Sequence, residues 1–397
     1  MNTSLEIDLS DAELTERLER YGFEVTPADN ALEVRVPAHR LWDVELEADL
    51  VEEIAKSVGY NDTPTSLPAV DMGALPSHSE VTRESVEEVL LGHGFFEVIT
   101  DGFYGRSVRD QLGFDESHPL WTHVETQNAL DRAYSLLKNN ALAQALEGVS
   151  TNLRVQNRDV KAFEWTRTFH PDPSAPNGVC TERALLWAIA CGPERPDNWT
   201  GSGRPSDAIF FKGLIEEIGL ALALPITVCA ADETQPLSST LHPNRQGTVR
   251  LGDEVIGIFG EVHPEVFKSY KIKRQRPCYL ELDRTALERA GSRPAFDEPS
   301  NLHPVERRLA FTLPHHMEAE TVAVRLRSSG PEWLTTVRVT DSFELEENGA
   351  TARAITFELR FSNEEANRTN DEVNAAAEAM IEAVRAEFGN RGVELRG

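Results

Sequence analysis

Cysteine is scarce in this chain, with four in 397 residues and no CxxC pair, so neither a disulfide framework nor a cysteine zinc site is expected. Cys180, Cys191, Cys229 and Cys278 lie far apart and read as reduced core thiols. No stretch approaches the roughly 18 uninterrupted apolar residues of a membrane span. The opening Met1-Asn2-Thr3-Ser4-Leu5-Glu6 has no basic n-region and no apolar h-region, and a cytoplasmic location is expected. Also missing are GxxxxGK[ST], GxGxxG after a strand, GxSxG and HExxH. Nothing therefore announces a phosphate cradle, a nucleophile elbow or a zinc protease. Positive charge is in deficit as well: 39 Lys and Arg face 66 Asp and Glu, a net charge of −27. That balance argues against a broad, non-specific nucleic-acid or membrane binder, and leaves room for a local RNA contact.

What is present fits an ordinary folded protein, with 40% hydrophobic and 26% charged residues and length for two to four domains. Three segments separate on punctuation, at 1–68, 76–292 and 297–397. In the first, Ser10 with Glu13 predicts a capping box opening a helix over 10–21. Strands follow at 22–25 and 32–36 around an Asp29-Asn30 turn, then a helix from Glu47 to Val58 stopped by Gly59, with a linker at Pro64 and Pro68. The second segment predicts helices over 78–91, 132–154 and 212–222, strands at 95–100 and 162–165, and a strand pair around Gly252-Asp253. The third reads strand, helix, strand, strand, helix, strand, the split βαβ plan of ferredoxin-like domains. The fold class is α+β and multidomain.

The densest chemical pattern is acidic. Asp43, Asp49, Glu52 and Glu53 fall within eleven residues, the last three on one helix face. Such crowding raises the cost of keeping all four ionised, and a hard cation such as Mg²⁺ would relieve it; a solvated acidic helix face is the alternative. Five His-Pro dipeptides, at His118, His170, His242, His263 and His303, and the His315-His316 pair show no metal spacing and read as turn and strand-edge features. In the third segment Arg307, Arg308, Arg325, Arg327, Arg338 and Arg360 interleave with Phe311, Phe343, Phe357 and Phe361, although residues 297–397 sum to −8. Those phenylalanines read as core or as stacking platforms for RNA.

Residues 36–64, from Val36-Pro37-Ala38-His39-Arg40 through Asp43, Asp49, Glu52 and Glu53 to Gly59-Tyr60-Asn61, closely resemble the B5 domain of the phenylalanyl-tRNA synthetase beta-subunit family. The middle segment is similar to that family's catalytic-core-like module through Gly94–Thr100, Tyr134–Leu137, Leu241-His242-Pro243, Gly260–Val266 and Leu280-Glu281-Leu282. The C-terminal segment resembles its anticodon-binding domain through Arg307, Leu309-Ala310-Phe311, Arg368-Thr369 and Asp371–Asn374. The chain also departs from the family: Leu41-Trp42 stands between Arg40 and Asp43 where one residue is usual, Lys138-Asn139 replaces Arg-Thr, and Arg308 replaces a frequent Asp.

The resemblance implies a winged-helix-like B5 domain, a class II synthetase-like antiparallel core and a ferredoxin-like anticodon-binding domain. It implies Mg²⁺ on Asp43, Asp49, Glu52 and Glu53 near the contact with an alpha subunit. It also implies a subunit of phenylalanine–tRNA ligase supporting ATP-dependent charging of tRNA(Phe) by that partner. Because the chain starts within B5, editing modules are expected to be absent from it. No Gly-rich strand ending in Arg appears around Cys278–Asp283, where a second phosphate clamp would stand, so no catalytic residue is assigned in this chain. The rival reading is a free-standing paralogue, a non-catalytic scaffold or RNA-associated binding protein.

Overall fold

The computed structural model describes residues 2–29, 31–65, 78–129, 131–290, 296, 302–347, 350–362 and 368–396. It divides into two compact units, one of residues 1–220 with 225–291, the other of 221–224 with 292–397. The Asn30 and Asn348-Gly349 turns and the linker around Pro68 lie outside the described residues.

The first unit includes an apolar core near the N-terminus and a larger one on the central sheet. Near the N-terminus, helix α1 (Asp11–Arg20) is opened by the Ser10 and Glu13 capping box. A hairpin of β1 (Glu24–Ala28) and β2 (Ala31–Arg35) follows, then helix α2 (Glu47–Val58). Leu14, Leu18, Phe23, Val44 and Ile54 meet in its core. Both strands are shifted from the expected ranges, and Pro27 sits within β1. A two-stranded ribbon has only edges, so a residue without an N–H is tolerated there. Arg17 donates 2.8 Å to the Ser57 carbonyl, tying α1 to the C-terminal end of α2, where a cation complements the helix dipole.

The larger core is a seven-stranded sheet. Its elements run α3 (His78–Gly92), β3 (Phe96–Glu97), α4 (Leu142–Arg154), β4 (Val160–Pro171), β5 (Cys180–Cys191), α5 (Ala208–Ala221), β6 (Ile226–Ala230), β7 (Leu241–Leu251), β8 (Glu254–Val262), β9 (Cys278–Asp283) and α6 (Arg284–Ala290). The spatial order is β3-β4-β5-β9-β8-β7-β6, antiparallel throughout except for the short β3–β4 pairing. On β5, Leu185, Trp187 and Ile189 join the core with Leu142, Leu146 and Val149 of α4, while the alternating Leu186, Ala188 and Ala190 are equally buried. The strand is covered on both faces, which explains its continuous apolar run.

Three expectations fail here for local reasons. The helix expected over 132–154 is confined to Leu142–Arg154. Ahead of it lie a 3₁₀ turn at Arg132–Tyr134 and a strand at Leu136–Leu137 paired with Phe103–Tyr104. The strand expected over 95–100 is only two residues long, because Thr100 directs its amide to the Glu164 carboxylate, 2.9 Å away, instead of to a neighbouring strand. Cys229 is exposed on β6, whereas Cys180, Cys191 and Cys278 are buried and free.

The second unit follows the expected order: β10 (Val305–Pro314), α7 (Ala319–Ser329), β11 (Leu334–Glu347), β12 (Ala350–Phe361), α8 (Asn370–Phe388) and β13 (Glu394–Arg396). The sheet runs β11-β12-β10-β13, all antiparallel, which is the ferredoxin-like arrangement. Phe311, Phe357 and Phe361 join Val322, Leu326, Met380 and Val384 in the core, so these phenylalanines are packing residues.

Candidate functional site

The acidic quartet sits where α2 begins. Leu46 precedes the helix and offers no polar side chain, so Asp49, three residues on, reaches back and accepts from the backbone N–H groups of Leu46 and Glu45 at 2.7 and 2.8 Å. Those two bonds, the Leu46 bond first, hold the Asp49 carboxyl below its ordinary range. Asp43 and Glu53 converge on one cation, each 2.8 Å from a terminal nitrogen of Arg40, whose Nε also donates to Asp43 at 2.9 Å. Glu53 is buried, and the Arg40 hydrogen bond outweighs desolvation and lowers its pKa. Lys56 bridges Glu52 at 2.9 Å and Glu53 at 3.2 Å.

The structure thus places the four carboxylates just before and within the first two turns of one helix but aims them at three places: the helix start, Arg40, and Lys56. Among the described residues no three His, Cys, Asp or Glu side chains gather as a metal cluster. Sequence reasoning missed Arg40. Its position three residues before Asp43 was the available signal, because a guanidinium is a planar fork able to serve two carboxylates at once. The extra residue before Asp43, Trp42, is 79% exposed, and its indole Nε1 donates to the His39 carbonyl at 2.9 Å.

In the sheet core the polar groups are turned inward. Lys138 is 2% exposed; its Nζ donates to Thr100 Oγ1 at 3.1 Å and lies 3.8 Å from Glu164. Glu164 also accepts from Trp187 Nε1 at 2.8 Å and from Thr100 Oγ1 at 2.7 Å. Desolvation pulls the Lys138 pKa down, opposed by the Glu164 charge. Asn139 accepts from the Tyr104 hydroxyl and donates to the Leu120 and Thr122 carbonyls. Over β4, β5 and β9 there remains a cavity of about 150 Å³ whose polar wall includes His170, Arg183 and Glu281. Burial keeps His170 neutral, its pKa pushed down to about 4, and raises that of Glu281. Arg167, also on β4, pairs with Glu182 at the surface, 2.9 Å away.

On the second unit the six arginines singled out by sequence part company. Arg307 turns to the start of α8, donating to Asn374 and Asn370 at 3.0 and 2.9 Å. Arg325 pairs with Glu387 and Arg327 with Glu320. Strand alternation puts Arg308, Arg338 and Arg360 on the sheet face away from the phenylalanine core. There Arg338 and Arg308 flank Glu358 at 2.6 and 3.2 Å and hold its carboxyl low, Arg338 contributing more. Phe343 is 56% exposed and is paired across the strands with Ala354.

Comparison with known proteins follows the same three-part division. The tRNA synthetase B5 domain family matches residues 1–60, the phenylalanyl-tRNA synthetase beta chain CLM domain family residues 63–284, and the ferredoxin-fold anticodon binding domain family residues 300–393. The phenylalanine–tRNA ligase beta subunit of Moorella thermoacetica is 31% identical over 98% of this chain and 47% of its own length. That of Streptococcus pneumoniae is 29% identical over 94% and 46%, respectively. The chain spans about half the length of the curated relatives it matches. Among solved structures, the pyrrolysyl-tRNA synthetase of Desulfitobacterium hafniense covers 53% of this chain and 68% of its own at 14% identity and a TM-score of 0.41.

Proposed function

This chain belongs to the phenylalanyl-tRNA synthetase beta-chain family, and from that premise we propose that it works as a beta-type subunit of phenylalanine–tRNA ligase. It pairs with an alpha subunit in the cytoplasm, and the partner carries out ATP-dependent attachment of phenylalanine to tRNA(Phe). The observation that carries the reading is the ordered succession of three family matches along nearly the whole chain. The domains are taken as 1–68, 76–292 and 297–397. The core domain serves as scaffold: over its sheet, Lys138 and Glu164 satisfy each other and their neighbours instead of facing a substrate. The third domain offers tRNA the face bearing Arg308, Arg338, Arg360 and Phe343, where guanidinium groups meet phosphates and the exposed ring meets a base.

Mg²⁺ is assigned to Asp43, Asp49, Glu52 and Glu53. Support comes from donor chemistry, since all four are hard carboxylate oxygens, and from the convergence of Asp43 and Glu53 on one cationic point. If bound, the ion would be held by Asp43 and Glu53 where the Arg40 guanidinium now sits. The chemistry it would supply there is positive charge, with which Asp43 and Glu53 would fix the 40–46 loop against α2.

Co-expression with the alpha subunit from the same cell tests the whole reading. Co-elution and a gain in phenylalanylation support it; a chain that elutes alone and adds no activity refutes it and leaves the scaffold alternative. For the metal, wild type should melt at a higher temperature in Mg²⁺, and Asp49→Ala with Glu53→Ala should abolish the shift. An identical Mg²⁺ response in both proteins removes the assignment.

A further inference from the structure

The most concentrated positive charge in this acidic chain lies outside the regions discussed above. Lys268, Lys271, Lys273, Arg274 and Arg276 fall within nine residues that contain no acid, and they include three of the chain's seven lysines. All five are exposed. Arg276 approaches Glu261 at 3.9 Å; among the described residues the other four make no ion pair. Arg154 and Arg158 are also exposed and join the same surface: Arg154 lines a cleft with Lys271, and the Arg158 carbonyl accepts from Gln275 at 3.5 Å.

The segment is anchored. Ile272 is buried in the core, Ser269 Oγ donates to the Gln111 carbonyl at 2.8 Å, and the Tyr270 carbonyl accepts from Ser150 Oγ at 2.7 Å. Lys271 and Arg274 adopt left-handed backbone, at φ +61 and +63, which non-glycine residues enter uncommonly. A backbone bent twice out of its preferred region, around a buried isoleucine, keeps the cations pointing outward. Elsewhere in the molecule many carboxylates find lysine and arginine partners; here four of the five cations make no ion pair among the described residues, and Glu147 is the acid that shares the cleft with Lys271 and Arg154.

We infer that this surface docks the phosphodiester backbone of RNA. Phosphates need only charge and hydrogen-bond donors in a fixed frame. A protein interface calls for aromatic or apolar anchors at its centre; residues 268–276 expose none, and Val155, exposed between Arg154 and Arg158, is a single small aliphatic side chain. The contact would be second to, and independent of, the arginine face of the C-terminal sheet. It rests on the ligase reading for its choice of RNA.

Binding of labelled tRNA(Phe) transcript to the full chain, followed by anisotropy between about 50 and about 200 mM salt, tests it. Asparagine tolerates left-handed backbone, so Lys271→Asn, Lys273→Ala and Arg274→Asn are combined in one variant, with its melting temperature as the folding control. The slope of log affinity against log salt should fall by roughly 2 to 3 and low-salt affinity by about tenfold or more. An unchanged slope and affinity overturn the inference, as does labelled poly-glutamate binding as tightly as tRNA. If Arg308→Ala with Arg338→Ala weakens binding while the loop variant does not, the loop falls and the ligase reading stands. A wild-type chain that charges tRNA with its partner, yet loses no affinity in the loop variant, rules out the loop in the same way.

Discussion

Glu53 and Glu164 are both buried glutamates with cations beside them, yet their surroundings differ in kind. Arg40 supplies most of what Glu53 receives, with Lys56 at the rim. Glu164 is held chiefly by neutral donors, the Trp187 indole and the Thr100 amide and hydroxyl, while Lys138 stands 3.8 Å away. A carboxylate held by charge can accept another cation in exchange. One held by dipoles of the surrounding fold cannot be satisfied from solution. The N-terminal region is therefore suited to ion exchange and the core to permanence.

The sharpest test of that contrast is Glu164→Ala. It strands the Trp187 and Thr100 donors and a buried Lys138 charge, and should cost about 3–5 kcal/mol in chemical denaturation. A loss below about 1 kcal/mol would erase the difference between the regions. Acidification comes next. His170 has a folded pKa of about 4 against 6.5 for the free group, so the unfolded chain takes up a proton first as pH falls. Its contribution to stability, up to about 3 kcal/mol, is present above pH 6.5 and drains away toward pH 4. Asp49 and Glu53, whose pKa values are lowered, act only below their free values of 3.8 and 4.5. A pH titration followed by calorimetry should show the core weakening first, and His170→Gln should flatten that upper limb. Smaller again is Arg40→Met, expected to cost about 1–3 kcal/mol without divalent ions and to be largely rescued by Mg²⁺. Failure of rescue would mean that Glu53, too, is fixed by its fold. Least of all, Arg338→Ala should move the melting temperature little, since Arg338 is itself largely exposed and Arg308 stays on Glu358, while weakening tRNA binding.

Much of the architecture is legible in the sequence because local chemistry and tertiary packing agree. Helix α2 can be read to the residue, since its apolar spacing and Gly59 point the same way as its packing. The ferredoxin-like order is equally plain, its strands alternating and its long helix capped by Thr369 with Glu372. Legibility ends where a side chain far along the chain decides the outcome. Residues 132–141 have helical spacing, but Asn139 is claimed by Tyr104, Leu120 and Thr122. The carboxylate positions are visible in sequence; their directions are not, because Arg40 and the backbone at Glu45 and Leu46 set them.

Trp42 lies largely in water close to Arg40 in the chain, whereas Trp187 is 1% exposed and bonded to Glu164. The two indoles are intrinsic fluorophores with opposite solvent relaxation, one emitting at long wavelength and accessible to quenchers, the other blue-shifted and shielded. Trp199, 96% exposed, shares the accessible emission, so with Trp199→Phe the light can be sorted into a signal for events at the N-terminal loop and a signal for integrity of the core.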